Sequence, residues 1–308
     1  MRVGIIGAGA LGTLLAGRLG RVAEVWVFST HAETIEALRR GGAQVLVDSE
    51  EMSTAVQVAG DPTRVPLLDA ALVCVKAYET ERAAEAARRM LGQEGLATTL
   101  QNGLGHFEIL AQKVGSSRAV LGVTYLGASW LGPGRVRWAG TGPTYLASRP
   151  EIATRLEEMG ELLSRAGLEV HLVEDAQGLL WGKLVVNATI NPLAALLRVP
   201  NGALLESEAA RRLLQAAALE AAQVARAAGV RLPYEDPVVH VESVCRATAA
   251  NYASMLQDVL QRRRTEIQAI NGALVRAGER WGVDTPFQRC LLRLVEALES
   301  SYTSQVEA

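Results

Sequence analysis

Residues Trp181-Gly182-Lys183-Leu184-Val185-Val186-Asn187-Ala188-Thr189-Ile190-Asn191-Pro192 set one amine and two amides four residues apart. On a helix each step of four turns only about 40° around the axis, so Lys183, Asn187 and Asn191 share a face. The other faces carry Leu184, Val185, Val186, Ile190 and Leu193. Amide side chains are poor helix formers, and two of them inside an apolar helix break a local rule, as functional sites tend to do. The amine adds to this. Lysine occurs only at positions 76, 113 and 183, among 31 basic residues that are otherwise arginine. An arginine cannot give up its proton near neutral pH, whereas a desolvated lysine can act as an acid or a base. Taken alone, the pattern equally fits a helix-end lysine with two amides serving backbone groups. A phosphate loop is excluded, because three residues rather than four separate Gly178 from Gly182 and Leu184 follows the lysine where a hydroxyl is needed.

A second constellation opens the chain. The β-branched run from Arg2 to Ile6 leads into Gly7-Ala8-Gly9-Ala10-Leu11-Gly12, and a helical pattern follows. In this setting G-x-G-x-x-G reads as a dinucleotide site: Gly7 permits a tight turn, Gly9 lets the backbone approach a pyrophosphate, and Gly12 lets helix pack on strand. The N–H groups of the helix start then face phosphate. A strand at 24–28 ends in Ser29-Thr30-His31, where an NAD site usually has an acid for the ribose. Hydroxyls and an imidazole suit a 2′-phosphate better, which favours NADP(H), with Arg39 and Arg40 as cations within reach. Lys76, after the strand at 71–75, and Asn102, in Gln101-Asn102-Gly103, stand at strand ends where such sheets bind ligands.

The elements that position these groups predict an α/β fold in two parts. Alternating strands and helices predict a doubly wound Rossmann-type sheet over 1–173, with an antiparallel extension in the Gly- and Pro-punctuated stretch 118–146. His171 in its last strand reads as structural. An all-helical part over 174–308 follows, with helices expected at 206–228, 251–280 and 287–298. In the second of these, Leu256, Val259, Leu260, Ile267, Ile270 and Leu274 form an apolar stripe. Ser254 and Glu266, about 18 Å apart on a straight helix, would then either address different parts of a bound pair of molecules, or one of them is merely solvated. With 31 basic and 33 acidic residues nothing calls for nucleic acid or a membrane surface. Arg262 to Arg264 reads as a solvated helix face. Cys74, Cys245 and Cys290 are too dispersed for a metal knuckle and fit reduced thiols in a cytoplasm. No metal site, charged leader or membrane-length apolar run is expected.

These residues together resemble the ketopantoate reductase family. The resemblance rests on the glycine loop, Val75-Lys76-Ala77, Gln101-Asn102-Gly103-Leu104-Gly105, Trp181-Gly182-Lys183-Leu184 with Asn187 and Asn191-Pro192, Pro200-Asn201-Gly202, Ser254-Met255-Leu256-Gln257-Asp258 and Thr265-Glu266-Ile267. It implies NADPH-dependent reduction of 2-dehydropantoate to (R)-pantoate, on the route to pantothenate and coenzyme A. It implies Lys183 as catalytic acid and Asn102, Lys183, Asn187, Asn191, Asn201 and Ser254 as substrate contacts. Gly7, Ala8, Gly9, Ala10, Leu11, Gly12, Lys76, Asn102, Ala128 and Glu266 would hold the cofactor. Thr30 stands where many members have Arg. A homodimer is compatible with this reading. The competing readings are a reductase of another branched 2-oxo acid and a non-catalytic nucleotide-sensing protein.

Overall fold

A computed structural model of the chain describes residues 1–304. It divides into two compact units: Met1–Gln101 with Gly105–Ala176, and Asn102–Leu104 with the chain from Gln177 onward.

The first unit runs β1 (Arg2–Ile6), α1 (Ala10–Leu19), β2 (Glu24–Phe28), α2 (Ala32–Gly41), β3 (Ala43–Val47), β4 (Glu50–Thr54), β5 (Gln57–Ala59), β6 (Leu68–Val73), α3 (Thr80–Met90), β7 (Leu91–Thr99), α4 (His106–Val114), β8 (Ala119–Thr124), β9 (Gly127–Gly132), β10 (Arg135–Gly140), β11 (Thr144–Ala147), α5 (Ala153–Arg165) and β12 (Val170–Val173). Its main sheet has the order β12-β11-β8-β7-β6-β1-β2-β5. The apolar runs of β1, β6 and β8 are almost wholly buried, as strands covered on both faces must be. One face packs Leu15, Leu19, Leu156, Met159 and Leu163 from α1 and α5. The other packs Ala83, Ala84, Met90, Leu110 and Val114 from α3 and α4. From β1 the chain winds outward to β2 and β5, then returns to β6 on the other side. The switch point of this doubly wound sheet therefore lies between β1 and β6, where such folds hold ligands beyond the strand ends.

The antiparallel extension is there, with β11 against β8. The β9–β10 hairpin takes a different course. It pairs with β3 in a separate four-stranded sheet, β4-β3-β10-β9. Val45 of β3, Val136 of β10 and Leu14 of α1 form a small dry cluster that fixes this pairing. Local patterning gives strand type but not strand partner, so the second sheet was beyond the sequence.

The second unit is helical: α6 (Gln177–Leu197), α7 (Glu208–Ala227), α8 (Pro237–Ala247), α9 (Ser254–Leu260), α10 (Ile267–Trp281) and α11 (Pro286–Ser300). Its core draws Leu184, Val185, Leu193, Leu214, Val241, Ile270, Leu274 and Val295 from all of these but α9, which adds Leu256 and Val259. Helix α6 is long and apolar enough to cross a membrane by length and composition, yet 67% of its apolar window is buried within the protein. We read it as a core helix.

The single helix expected over 251–280 is broken. Helix α9 ends in a Schellman motif, with Arg262 at φ 51° in the left-handed position, Arg263 N–H donating to Asp258 O at 2.8 Å and Arg262 N–H to Val259 O at 3.0 Å. The Arg263–Asp258 ion pair at 3.1 Å reinforces it. Thr265 Oγ1 then accepts from Ile267 N–H at the start of α10. The basic run at 262–264 thus lies in an interhelical turn, and the straight-helix spacing between Ser254 and Glu266 does not apply.

Candidate functional site

In the first unit the glycine loop is built as its spacing predicts. Gly7 has φ +98°, and a Cβ there would lie 2.6 Å from Val75 Cγ1. A Cβ on Gly12 would collide with the Gly7 carbonyl oxygen. A Cβ on exposed Gly9 would meet nothing within 4 Å. The loop therefore leaves open the one position where a diphosphate must approach the backbone. Helix α1 begins there with no side-chain cap and no acid in its first turn, so its first N–H groups would meet an anion without competition. This cradle fits a dinucleotide. Ala10 and Ala128, the latter on β9, both pack on the Leu14–Val45–Val136 cluster under the loop.

The end of β2 holds a cation that sequence order conceals. Ser29 is buried and its Oγ accepts from His31 N–H at 3.2 Å. Arg39 donates to Val58 O, and Arg40 pairs with Glu36, so neither turns to this spot. Instead Arg82, on α3, donates to Thr30 Oγ1 at 3.0 Å while pairing with Glu79. A guanidinium thus stands beside Thr30, brought from 52 residues further along the chain.

Lys76 follows β6 and is half-buried. Its loop is held by Gln101, whose Nε2 donates to Val75 O at 3.1 Å and Thr80 Oγ1 at 2.8 Å. Thr80 also bonds His106 Nδ1 at 3.0 Å. Gln101, Thr80 and His106 are buried, and this network ties together the loops after β6 and β7. No isolated motif signals it.

In the second unit α6 carries Lys183, Asn187 and Asn191 at the expected spacing. Asn191 is buried, and Lys183 and Asn187 are half-buried. Desolvation is the main influence on the Lys183 ammonium and lowers its pKa to about 8; the nearby charge of Glu266 opposes that shift. Glu266 is buried at the start of α10. Asn102 begins a turn that lies against α10: Gly103 has φ +96°, a Cβ on it would collide with Ala269 O, and Leu104 N–H donates to that oxygen at 3.3 Å. Asn201 donates through Nδ2 to Thr248 Oγ1 at 2.9 Å, while its buried Oδ1 has no partner among the described residues. Ser254 is exposed at the first turn of α9, which packs on α6. The unit thus gathers an ammonium of lowered pKa, a carboxylate, two amides on one helix face and an unsatisfied buried acceptor.

Comparison with known proteins gives these features a context. The 2-dehydropantoate 2-reductase of Archaeoglobus fulgidus is 37% identical over 97% of this chain and 98% of its own length. A solved ketopantoate reductase of the PanE/ApbA family from Ralstonia eutropha is 30% identical, covers 98% of this chain and 99% of its own, and superposes with a TM-score of 0.89. A D-mandelate dehydrogenase solved with NADH and anilino(oxo)acetate is 28% identical over 98% of this chain and 99% of its own, with a TM-score of 0.91. The family model for ketopantoate reductase PanE/ApbA matches residues 3–151, and that for its C-terminal part matches 175–299. The chain belongs to the ketopantoate reductase family.

Proposed function

We propose that this protein reduces 2-dehydropantoate to (R)-pantoate with NADPH in the cytoplasm, with Lys183 as the proton donor. The observation that carries the reading is Lys183, a desolvated ammonium whose pKa is lowered to about 8, beside Glu266 and on the same helix face as Asn187 and Asn191. Gly7, Ala8, Gly9, Ala10, Leu11, Gly12, Lys76 and Ala128 of the first unit would hold the dinucleotide. The open position at Gly9 and the uncapped start of α1 support this. The nicotinamide, when bound, supplies a hydride to the ketone carbon.

The carbonyl oxygen gains negative charge as that carbon is reduced, and a charge there needs a positioned donor. Lys183 offers a positive charge during the step and its proton at the end, leaving a neutral amine and an alcohol. Asn187 and Asn191 present N–H groups to the carboxylate and carbonyl of a 2-oxo acid. The orphan Oδ1 of Asn201 offers an acceptor for the substrate hydroxyl; left unbonded, such a buried acceptor costs roughly 1–3 kcal/mol. Asn102 and Ser254 complete the substrate contacts in this reading.

Arg82 supports NADPH over NADH. Its guanidinium beside Thr30 and Ser29 gives the end of β2 the charge and hydroxyls a 2′-phosphate binds. Cys74 and Cys245, with thiols pushed by desolvation up to about 12 and about 11, stay protonated and suit a reducing compartment. A second reading, reduction of another branched or aryl 2-oxo acid, is favoured by the likeness to D-mandelate dehydrogenase. The test is loss of nicotinamide absorbance with 2-dehydropantoate and with phenylglyoxylate, each with NADPH and NADH. Fast turnover of 2-dehydropantoate with NADPH supports the first reading; preference for the aryl acid supports the second.

A further inference from the structure

Helix α6 contains Pro192, directly after Asn191. Proline has no N–H, so the carbonyl of Ala188, four residues earlier, loses its helical partner. Another helix meets that oxygen. Asn271 Nδ2, on α10, donates to Ala188 O at 2.8 Å and to Gln288 Oε1 at 2.7 Å. Gln288 Nε2 donates in turn to Ala217 O at 2.9 Å. Since a backbone acceptor stands at each end of this chain, both amides have only one orientation that satisfies it. Asn271 and Gln288 are completely buried, and Asn271 Oδ1 has no partner among the described residues. A buried amide that leaves its oxygen unbonded is present for its N–H groups.

The location of this bond is as telling as its geometry. Ala188 lies five residues past Lys183, and Asn271 five past Glu266. Helices α6 and α10 are therefore linked at two levels, each about one and a half turns apart along its own helix: the charge of Glu266 acting on Lys183, and the Asn271 clamp. We propose that Asn271 is a positioning residue, which by bonding the carbonyl orphaned by Pro192 fixes the turn between Asn187 and Asn191 and keeps Lys183 beside Glu266. This rests on the reading of Lys183 as proton donor. Asn271 touches neither substrate nor cofactor in this account.

The test compares Asn271→Ala, Pro192→Ala and the double variant in the full-length protein. Three readouts are used: kcat with 2-dehydropantoate and NADPH, thermal midpoint, and the titration of Lys183 by NMR of 13Cε-lysine. Only three lysines are present, so each signal can be assigned. Asn271→Ala is expected to lower kcat about tenfold or more, to shift the Lys183 midpoint by about half a unit or more, and to leave NADPH affinity within about twofold. In the double variant the backbone regains an N–H at position 192 that bonds the Ala188 carbonyl, so the thermal midpoint recovers in part, Gln288 Oε1 still lacking its donor, while kcat does not. Pro192→Ala alone, which removes a helix breaker, keeps the fold and still slows turnover; it decides the matter if Asn271→Ala does not fold. Wild-type kcat and an unmoved Lys183 midpoint in Asn271→Ala, or full recovery of kcat with stability in the double variant, overturns the proposal. Absence of wild-type turnover with 2-dehydropantoate instead defeats the functional reading, and the lysine titration still decides the clamp.

Discussion

The pKa of Lys183 makes the sharpest prediction, because the ordinary lysine value and the value in this fold lie on either side of an accessible pH range. Desolvation brings the group from 10.5 to about 8. With a pKa of about 8, roughly nine-tenths of the molecules carry the proton at pH 7 and about one-tenth at pH 9. If Lys183 is the acid, kcat/KM for 2-dehydropantoate at saturating NADPH falls about tenfold between pH 7 and pH 9. An unshifted lysine would give a flat profile to about pH 10. Glu266 raises the Lys183 pKa through its charge, so Glu266→Gln moves the alkaline limb to lower pH. Unfolding cannot mimic this through the same group. Between about 8 and 10.5 the unfolded lysine binds a proton that the folded one has lost, so this residue makes the fold more stable as pH rises through that window. The assay is initial rate by nicotinamide absorbance from pH 6 to 10, with circular dichroism at each pH. A flat profile, or a limb moved to higher pH in Glu266→Gln, refutes the reasoning.

Arg82→Ala is expected to raise KM for NADPH about 10- to 100-fold and leave KM for NADH nearly unchanged, since a charged hydrogen bond is worth about 1.5–3 kcal/mol; steady-state kinetics with both cofactors check it. Gly12→Ala drives a methyl group into the Gly7 carbonyl, and overpacking of this kind costs about 1–3 kcal/mol. Its thermal midpoint should fall and its NADPH binding, followed by fluorescence, should weaken. Arg211, followed by Gln215 and Arg246, holds the Glu242 carboxyl at about 2, below its ordinary 4.5. Its stabilising effect is therefore complete above about pH 4.5 and lost as pH falls towards 2, and acid titration of stability in Glu242→Gln should show a shallower decline over that window.

What could be read from the sequence was local. The glycine loop, the amide-bearing face of α6 and the alternation of strand and helix each lie within one element and its neighbours. What could not be read depends on partners distant in sequence. Arg82 reaches Thr30 only because β1 sits between β2 and β6, which brings the loops after them to one edge. The β9–β10 hairpin joins β3 because Val45 and Val136 share a cluster with Leu14. The break after α9 leaves no signal in the sequence, because an arginine, not a glycine, takes the left-handed position. Helix α8 did leave a trace: Asp236 caps it by accepting from Val238 and Val239 N–H, and Pro237 fills its first position. The Asn271 clamp had half a signal, a proline inside an apolar helix, but its other half is 79 residues away from Pro192 and visible only in the fold.

The proposed reaction turns on Lys183 giving its proton to the reduced oxygen. The most direct measurement is turnover of 2-dehydropantoate by Lys183→Ala alongside its affinity for NADPH. A proton donor at Lys183 predicts a kcat lower by about 100- to 10,000-fold with NADPH binding little changed. Near-normal turnover in that variant contradicts it.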